Sequence, residues 1–408
     1  MSTRKRIAII VPGLEISGGI ATAANFLAEI VDQHPHYDLD LISLCMNSVE
    51  ETSVMLSQPA SWARGISVRN AIWRKKAIRH VGAHFCELEF QRYKPRRALS
   101  QILERCDLIQ VISGSPAWAN AVTSLGKPVV LHVATLAKVE RETRDKNPAS
   151  AKDWWRRAMT KITENLDDKA LRNVDAIQVY NPWMMDYARK INADRDVLIE
   201  HAPPGIDDAL FTPGLSKKPR PTPYILTVSR LDDPRKNIEL LLDVYAKLPK
   251  KWHGKVDLVL AGQSEPTSAF WAHADMCGIR EYVKFIEKPS IEELVSLYQG
   301  ASVFTLSSNE EGLGLVLLEA MACGTPVIST KCGGPDGIIS DGVDGFLVPI
   351  GDAEQMAQKC VTLFENDGLK VKMGKNARTT IEKRYSKMAT SEIFIKTWET
   401  LLRNHPGT

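Results

Sequence analysis

The chain has 408 residues, enough for two or three domains of about 150 residues each. Its 44% hydrophobic and 25% charged residues match a globular make-up, which excludes collagen-like, disordered and disulfide-scaffold classes. A net charge of only +3 speaks against a nucleic-acid binder, and seven scattered cysteines without a C-x-x-C suit a reducing cytosol. The first apolar run, Ile7–Val11, is too short for a signal-peptide core and reads as a strand. No stretch approaches the roughly 18 apolar residues of a membrane span.

Short apolar runs alternate with helical patterns, the signature of parallel sheets covered by helices. Strands are expected at Ile7–Val11, Leu39–Leu44, Leu108–Ile112, Pro128–Val133, Ala176–Val179 and Val197–Ile199. Six of the 22 prolines then fall between Pro203 and Pro223, a run that suits an inter-domain linker. The rhythm restarts with expected strands at Tyr224–Ser229, Val256–Ala261, Tyr282–Ile286, Val303–Leu306 and Pro326–Ser329. Ile238, Leu241, Leu242, Tyr245 and Leu248 share one helix face, as do Ala353, Met356, Ala357, Cys360, Val361 and Phe364 after Asp352 as N-cap. The expected architecture is α/β: two Rossmann-like, doubly wound domains facing across a cleft, with ligands beyond the carboxyl ends of the strands. The divisions are 1–205, a linker at 206–223, a second domain at 224–385, and a C-terminal helix at 386–408 returning to the first domain.

The window Ser308-Asn-Glu-Glu311-Gly-Leu-Gly314 follows a strand and turns through glycines into a helix that Gly324 would end. Such a turn presents backbone N–H groups and the positive end of a helix dipole, which suits a phosphate. Glu319 lies in that helix among apolar residues, and a carboxylate there needs partners. A ribose diol would serve, as would a neighbouring backbone group or arginine.

This stretch resembles the GT-B glycosyltransferases of family 4, glycosyl transferases group 1, which retain anomeric configuration. The similarity rests on Glu311-x7-Glu319, Gly-Leu-Gly, and Glu-Ala-Met-Ala-Cys-Gly-Thr-Pro-Val-Ile. Val228-Ser-Arg230 through Lys236-Asn, Pro204-Gly205-Ile-Asp207 through Pro213, Asp341 through Pro349, and Gly18-Gly19 resemble further motifs of the family, in its order. The resemblance implies a nucleotide-diphosphate sugar as donor. Arg230 and Lys236 would neutralise the leaving phosphate, which transition-state electrostatics requires. The N–H groups around Gly314, Leu315 and Val316 would hold the distal phosphate, helped by Gly18 and Gly19, while Glu311 and His132 would reach the donor sugar. It further implies Glu319 at the ribose, with Gly262, Ile286 and Glu287 among the donor contacts and the base read through backbone. Glu310 shares the exposure of Glu311, and only the family spacing separates them. No cofactor or metal is implied, and Asp38-Leu-Asp40, although of D-x-D form, reads as a strand lead-in. One departure is Gly333-Gly334-Pro335-Asp336-Gly337, which has Gly at the family's Glu position and Asp one place early.

Residues 64–105 hold eleven basic residues against three acids, with Trp73, Phe85 and Phe90 interleaved and Trp62 just ahead. This mixture suits an anionic membrane surface or a polyprenyl-linked acceptor, and equally a solvated helix face. Lys152-Asp-Trp154-Trp155-Arg156-Arg157 is a second stretch of this kind. The expectation is a cytoplasmic retaining glycosyltransferase, associated with the inner membrane face, that extends a saccharide or lipid-linked saccharide in cell-surface polysaccharide or glycolipid synthesis. No nucleic acid is expected. The alternatives are a nucleotide-sugar 2-epimerase and a non-catalytic nucleotide-sugar binder.

Overall fold

The computed structural model describes residues 4–13, 18–145, 148–214 and 222–405. The chain forms two compact units, Met1–Pro204 with Thr390–Thr408, and Gly205–Ala389. Of the expected linker, residues 215–221 lie outside the described residues, and the remainder belongs to the second unit.

The first unit is built on strands β1 (Lys5–Pro12), β2 (Tyr37–Leu44), β3 (Val68–Trp73), β4 (Lys76–Val81), β5 (Leu108–Ser113), β6 (Val129–Val133), β7 (Ala176–Val179) and β8 (Leu198–His201). They make one sheet ordered β3-β4-β2-β1-β5-β6-β7-β8, parallel except for the β3–β4 hairpin. Buried along their whole length, β5, β6 and β7 read as near-continuous apolar runs, as inner strands of parallel sheets do. Asp38 and Asp40 lie near the start of β2 and are bound by arginines: Arg4 to Asp38 at 3.2 Å, Arg79 and Arg105 to Asp40 at 2.7 and 3.2 Å.

Two glutamines interrupt the apolar strands, Gln110 on β5 and Gln178 on β7, both fully buried. Their partners come from the far end of the chain, on the helix Lys387–Asn404. The Trp398 indole Nε1 donates to Gln110 Oε1 at 2.8 Å, and Gln178 Nε2 donates to Thr397 Oγ1 at 3.1 Å. Residues 390–405 thus belong to the first unit, with Phe394, Thr397 and Trp398 buried in it.

The second unit has strands β9 (Tyr224–Val228), β10 (Asp257–Gly262), β11 (Val283–Glu287), β12 (Val303–Leu306), β13 (Val327–Thr330) and β14 (Phe346–Val348), all parallel, in the order β11-β10-β9-β12-β13-β14. The chain runs outward from β9 to β11 and then crosses back to β12, so the strand order reverses between β9 and β12. Asp352 caps the helix Ala353–Glu365 by accepting from Gln355 N at 2.9 Å. Ile238, Leu241, Leu242, Tyr245 and Leu248 are all buried in this unit's core. Among the described residues, no helix is long and apolar enough to cross a membrane.

Candidate functional site

The segments after β9 and β12 meet beside the strand-order reversal, where open parallel sheets bind ligands. After β9, Asp233 caps a single turn at Pro234–Lys236, accepting from Arg235 N at 3.1 Å. Asn237 then takes a left-handed conformation, φ 46°, that turns the chain into the helix Glu239–Ala246. This turn is tied to the segment after β12: Asn309 N donates to Arg235 O at 2.7 Å, and Ser307 Oγ donates to Lys236 O at 2.9 Å.

At the centre lies an ion pair. Lys236 Nζ is 2.7 Å from Glu311 Oε1, and Ser308 Oγ donates to the same oxygen at 2.8 Å. Both side chains are mostly buried, at 14% and 10% exposure, so the pair is far better shielded from water than a surface bridge. The backbone of Glu311 is pinned as well, its N–H to Cys332 O at 2.9 Å and its carbonyl to Gly334 N–H at 2.8 Å. The adjacent Glu310 pairs with Arg235 Nη1 at 3.2 Å. Geometry therefore separates the two glutamates that the sequence distinguishes only by spacing.

Arg230 and Lys236 do not converge on one carboxylate. The Arg230 guanidinium, 58% exposed, rests on Asp233 at 2.8 Å, which also binds Arg235 Nη2 at 2.9 Å. Burial would raise the Asp233 carboxyl, but the hydrogen bonds from Arg235 and the nearby cations win and hold it at about 2. Asp233, Arg235 and Ser308 are organising residues that the motif reading left without a role. The Asp-Pro pair, an N-cap followed by proline at the first helical position, is the sequence signal for Asp233.

Gly314, at φ 91°, precedes the helix Leu315–Ala322, and no side chain caps that helix. The N–H groups of Leu315 and Val316 thus head a helix with its first donors uncapped. One turn on, Glu319 is partly buried, and the Tyr298 hydroxyl donates to its Oε2 at 2.7 Å. Burial, only partly offset by that bond, pushes the Glu319 carboxyl up to about 7. Tyr298 is the neighbour that the sequence left open, and Glu319 Oε1 has no partner among the described residues.

Gly262 ends β10, where an added Cβ would lie 2.5 Å from Ser229 O. Its small size is thereby explained by the packing of the chain after β9. Ile286 and Glu287 end β11, with Glu287 paired to Lys288 at 2.7 Å on the surface. Asp336 caps its own short helix, accepting from Gly333 N at 2.7 Å. Gly334 is fixed by close contact, since a Cβ there would lie 2.3 Å from Leu313 O.

In the first unit, Gly18 has φ 63° and opens the helix Gly18–Gln33 with Gly19, and a Cβ added at Gly18 would meet no atom of the described residues within 4 Å. The placement of His132 is a correction. It is fully buried on β6, its Nε2 bonded to Ala202 O at 2.8 Å and its ring edge-on to Phe394 at 5.1 Å. Burial drops its pKa to about 3. The neutral ring is a packing group, not one open to a donor sugar, because an inward-facing position on a buried strand leaves it no route to solvent.

Residues 214–380 match the family described as Glycosyl transferases group 1. The D-inositol 3-phosphate glycosyltransferase of Corynebacterium efficiens is 27% identical over 282 residues, 65% of this chain and 64% of that protein. The chain thus spans just under two thirds of that curated relative's length. Sucrose-phosphate synthase from Thermosynechococcus elongatus aligns with a TM-score of 0.68 at 20% identity, over 98% of this chain and 100% of that one. Anabaena HepE in complex with UDP and glucose aligns with a TM-score of 0.68 at 16% identity, over 97% and 100% of the two chains. Residues 214–380 thus form a glycosyl transferases group 1 domain, and the chain as a whole has the GT-B fold of these solved structures.

Proposed function

We propose that the chain is a retaining glycosyltransferase that moves a sugar from a nucleotide-diphosphate donor to a hydroxyl of a saccharide or lipid-linked saccharide. The observation that carries this reading is the shielded Lys236–Glu311 pair at the strand-order reversal, with the exposed Arg230 and the uncapped helix at Gly314. The bound UDP and glucose of the HepE complex support a nucleotide-sugar donor for this chain too.

Arg230 and Lys236 supply the positive charge that a departing diphosphate needs, so the reading calls for no metal. The N–H groups of Leu315 and Val316 take the distal phosphate. Glu311, fixed at its backbone and by Ser308, meets the sugar hydroxyls, and Glu319 Oε1 accepts from the ribose while Tyr298 holds Oε2. The strand ends at Gly262 and Ile286–Glu287 flank the base. In the transfer, the bond from the anomeric carbon to the phosphate oxygen breaks, and the bond to the acceptor oxygen forms on the same face. The acceptor proton passes to the leaving phosphate. The acceptor belongs to the first unit, at the cytoplasmic face of a membrane.

The test is a thermal-shift panel of UDP-, GDP-, ADP- and dTDP-sugars on the wild type and Arg230→Ala. A donor at 100 times its Kd adds about 2.7 kcal/mol, several degrees in Tm. One nucleotide should shift the wild type, and Arg230→Ala should lose that shift while its ligand-free Tm stays within a degree or two. A panel with no shift overturns the donor reading. Conversion of the donor sugar without any acceptor identifies an epimerase instead, and an inverted anomer in the product overturns retention.

A further inference from the structure

We infer that the first unit docks on an anionic lipid bilayer through the exposed face of the helix Ala151–Asn173, and not through residues 64–105. Six of the eleven basic residues of 64–105 are engaged within the fold, Arg64 and Arg92 through backbone carbonyls among them. Arg79 and Arg105 bind Asp40, Lys76 binds Asp32, and the buried Arg96 donates to Gly82 O and Arg92 O at 2.6 Å each. Trp73 is buried too, and the exposed apolar side chains of its strand are the aliphatic Val68 and Ile72. A cation that neutralises its own protein has little left for a membrane.

The helix Ala151–Asn173 is arranged the other way. Its exposed charged residues are all cations: Lys152, Arg157, Lys161 and Lys169, with Arg172 alone paired, to Asp194 at 3.3 Å. Its four acids are each engaged by a neighbouring group, Asp167 in the interior and Glu164 in a surface bridge. Asp153 completes a capping box with Ser150, Glu164 binds Lys138 at 2.8 Å, Asp167 accepts from Ala117 N and Ala137 N at 2.8 and 2.9 Å, and Asp168 accepts from Tyr187 at 2.6 Å. Among these cations stand three large apolar side chains left in water: Trp154 at 59%, Trp155 at 52% and Ile162 at 38% exposure.

The spacing places them together. Trp154, Ala158, Lys161, Ile162, Asn165 and Lys169 recur at i, i+4, i+7, i+8, i+11 and i+15, one side of a helix. The opposite side, with Met159, Thr163, Asp167 and Ala170, is buried. A solvated helix face has no physical use for two neighbouring exposed tryptophans, whereas an interfacial helix does, since indoles settle at headgroup depth and cations at the anionic surface. The capping box and the bonds from Arg156 to Asp145 and Asp153, both 2.9 Å, hold the tryptophan-bearing turn rigid. Ile162 and Lys169 also line a cavity of about 410 Å³ with Phe90, Tyr93, Leu166 and Lys94, which extends the same mixture of apolar wall and ammonium groups inward. The only acids on the neighbouring Ala137–Asp145 helix that face water are Glu140 and Glu142 among the described residues.

Co-sedimentation of the full chain with phosphatidylcholine vesicles, with and without phosphatidylglycerol, tests the assignment. The wild type should pellet with the anionic vesicles only, less so at high salt. Trp154→Ala/Trp155→Ala and Lys161→Glu/Lys169→Glu should each weaken binding roughly 10- to 30-fold, whereas Arg74→Glu/Lys75→Glu, within 64–105, should not. Wild-type failure to bind, or loss only in the 74/75 variant, overturns the proposal. So does a change of oligomeric mass in the helix variants without a change in lipid binding, which would make the face a contact between copies. The readout needs no donor, so the surface and the transferase reading fail separately: donor thermal shifts should be unchanged in the helix variants.

Discussion

At the residue scale, burial moves two side chains in opposite directions, and each leaves a signature in stability against pH. Glu319 ionises near 4.5 when unfolded but is pushed up to about 7 in the fold. Between those values the folded carboxyl keeps a proton that the unfolded one has released, so its contribution to stability is lost as pH rises from 4.5 to 7. Glu319→Gln keeps an acceptor for Tyr298 and removes the titration. The wild type should therefore lose roughly 1–3 kcal/mol relative to the variant across that window, read from urea midpoints at each pH. His132 behaves inversely, with a pKa dropped from 6.5 to about 3. The unfolded ring gains a proton first, so stability is lost as pH falls from 6.5 toward 3. His132→Gln, which can still donate to Ala202 O, should flatten that loss. A flat wild-type-minus-variant curve for either residue would refute its assigned burial. The apolar neighbours of Glu319 announce its burial in the sequence, but Tyr298, 21 residues earlier, carries no local mark of being its partner. For His132 the motif position suggests chemistry, and only the packing of Phe394 and Tyr180 around it reveals a core residue.

At the scale of elements, the inner strands were readable because burial on both faces demands near-continuous apolar runs, and β5 to β7, β9, β10 and β12 have them. The β3–β4 hairpin was not. On the exposed sheet edge Val68, Arg69 and Asn70 face water, so β3 shows no such run, and its turn is made by Arg74 and Lys75, which are not turn formers. Both sit at positive φ, 46° and 66°, the two-residue geometry that favours Asn-Gly. Arg74→Asn/Lys75→Gly should relieve that strain and raise stability by about 1 kcal/mol, a gain of a few degrees at most in Tm. An unchanged or lower Tm would show the turn to be unstrained. Near the site the constraint is spatial instead. Gly334→Ala puts a methyl carbon 2.3 Å from Leu313 O, so the Gly334–Ile338 helix must move from the loop that carries Gly314. The expected cost is about 2–4 kcal/mol, with a weakened donor shift alongside the lower Tm. Gly18→Ala meets no atom of the described residues within 4 Å and strains φ, so it should cost about 1 kcal/mol. Equal losses for the two alanines would contradict the packing at Gly334.

At the scale of the whole molecule, chain order and spatial order part company at the C-terminus. Gln110 and Gln178 stand in runs that are otherwise apolar, and an unpaired buried amide costs about 1–3 kcal/mol. Their presence implies a polar partner, but the partners lie 288 and 219 residues further on, beyond any local pattern. The family resemblance, not periodicity, points to the returning helix. Once in place, that helix couples the end of the chain to the first unit: Trp398 packs edge-on to Tyr37 at 5.8 Å, and Phe394 edge-on to Phe26 at 5.8 Å. Two substitutions separate packing from hydrogen bonding. Trp398→Phe keeps most of the ring but strands Gln110 Oε1, and should cost about 1–3 kcal/mol. Trp398→Ala also opens a cavity and should cost about 3–5 kcal/mol. Hydrogen exchange locates the loss. Amides of β1, β5 and β7 should exchange faster in both variants, while those of β9, β10 and β12 keep their protection because their core contains no part of the helix beyond Ala389. Uniform deprotection of both sheets would instead mean that the chain unfolds as one cooperative body, and that the stability of the Lys236–Glu311 site depends on a tryptophan in the other unit.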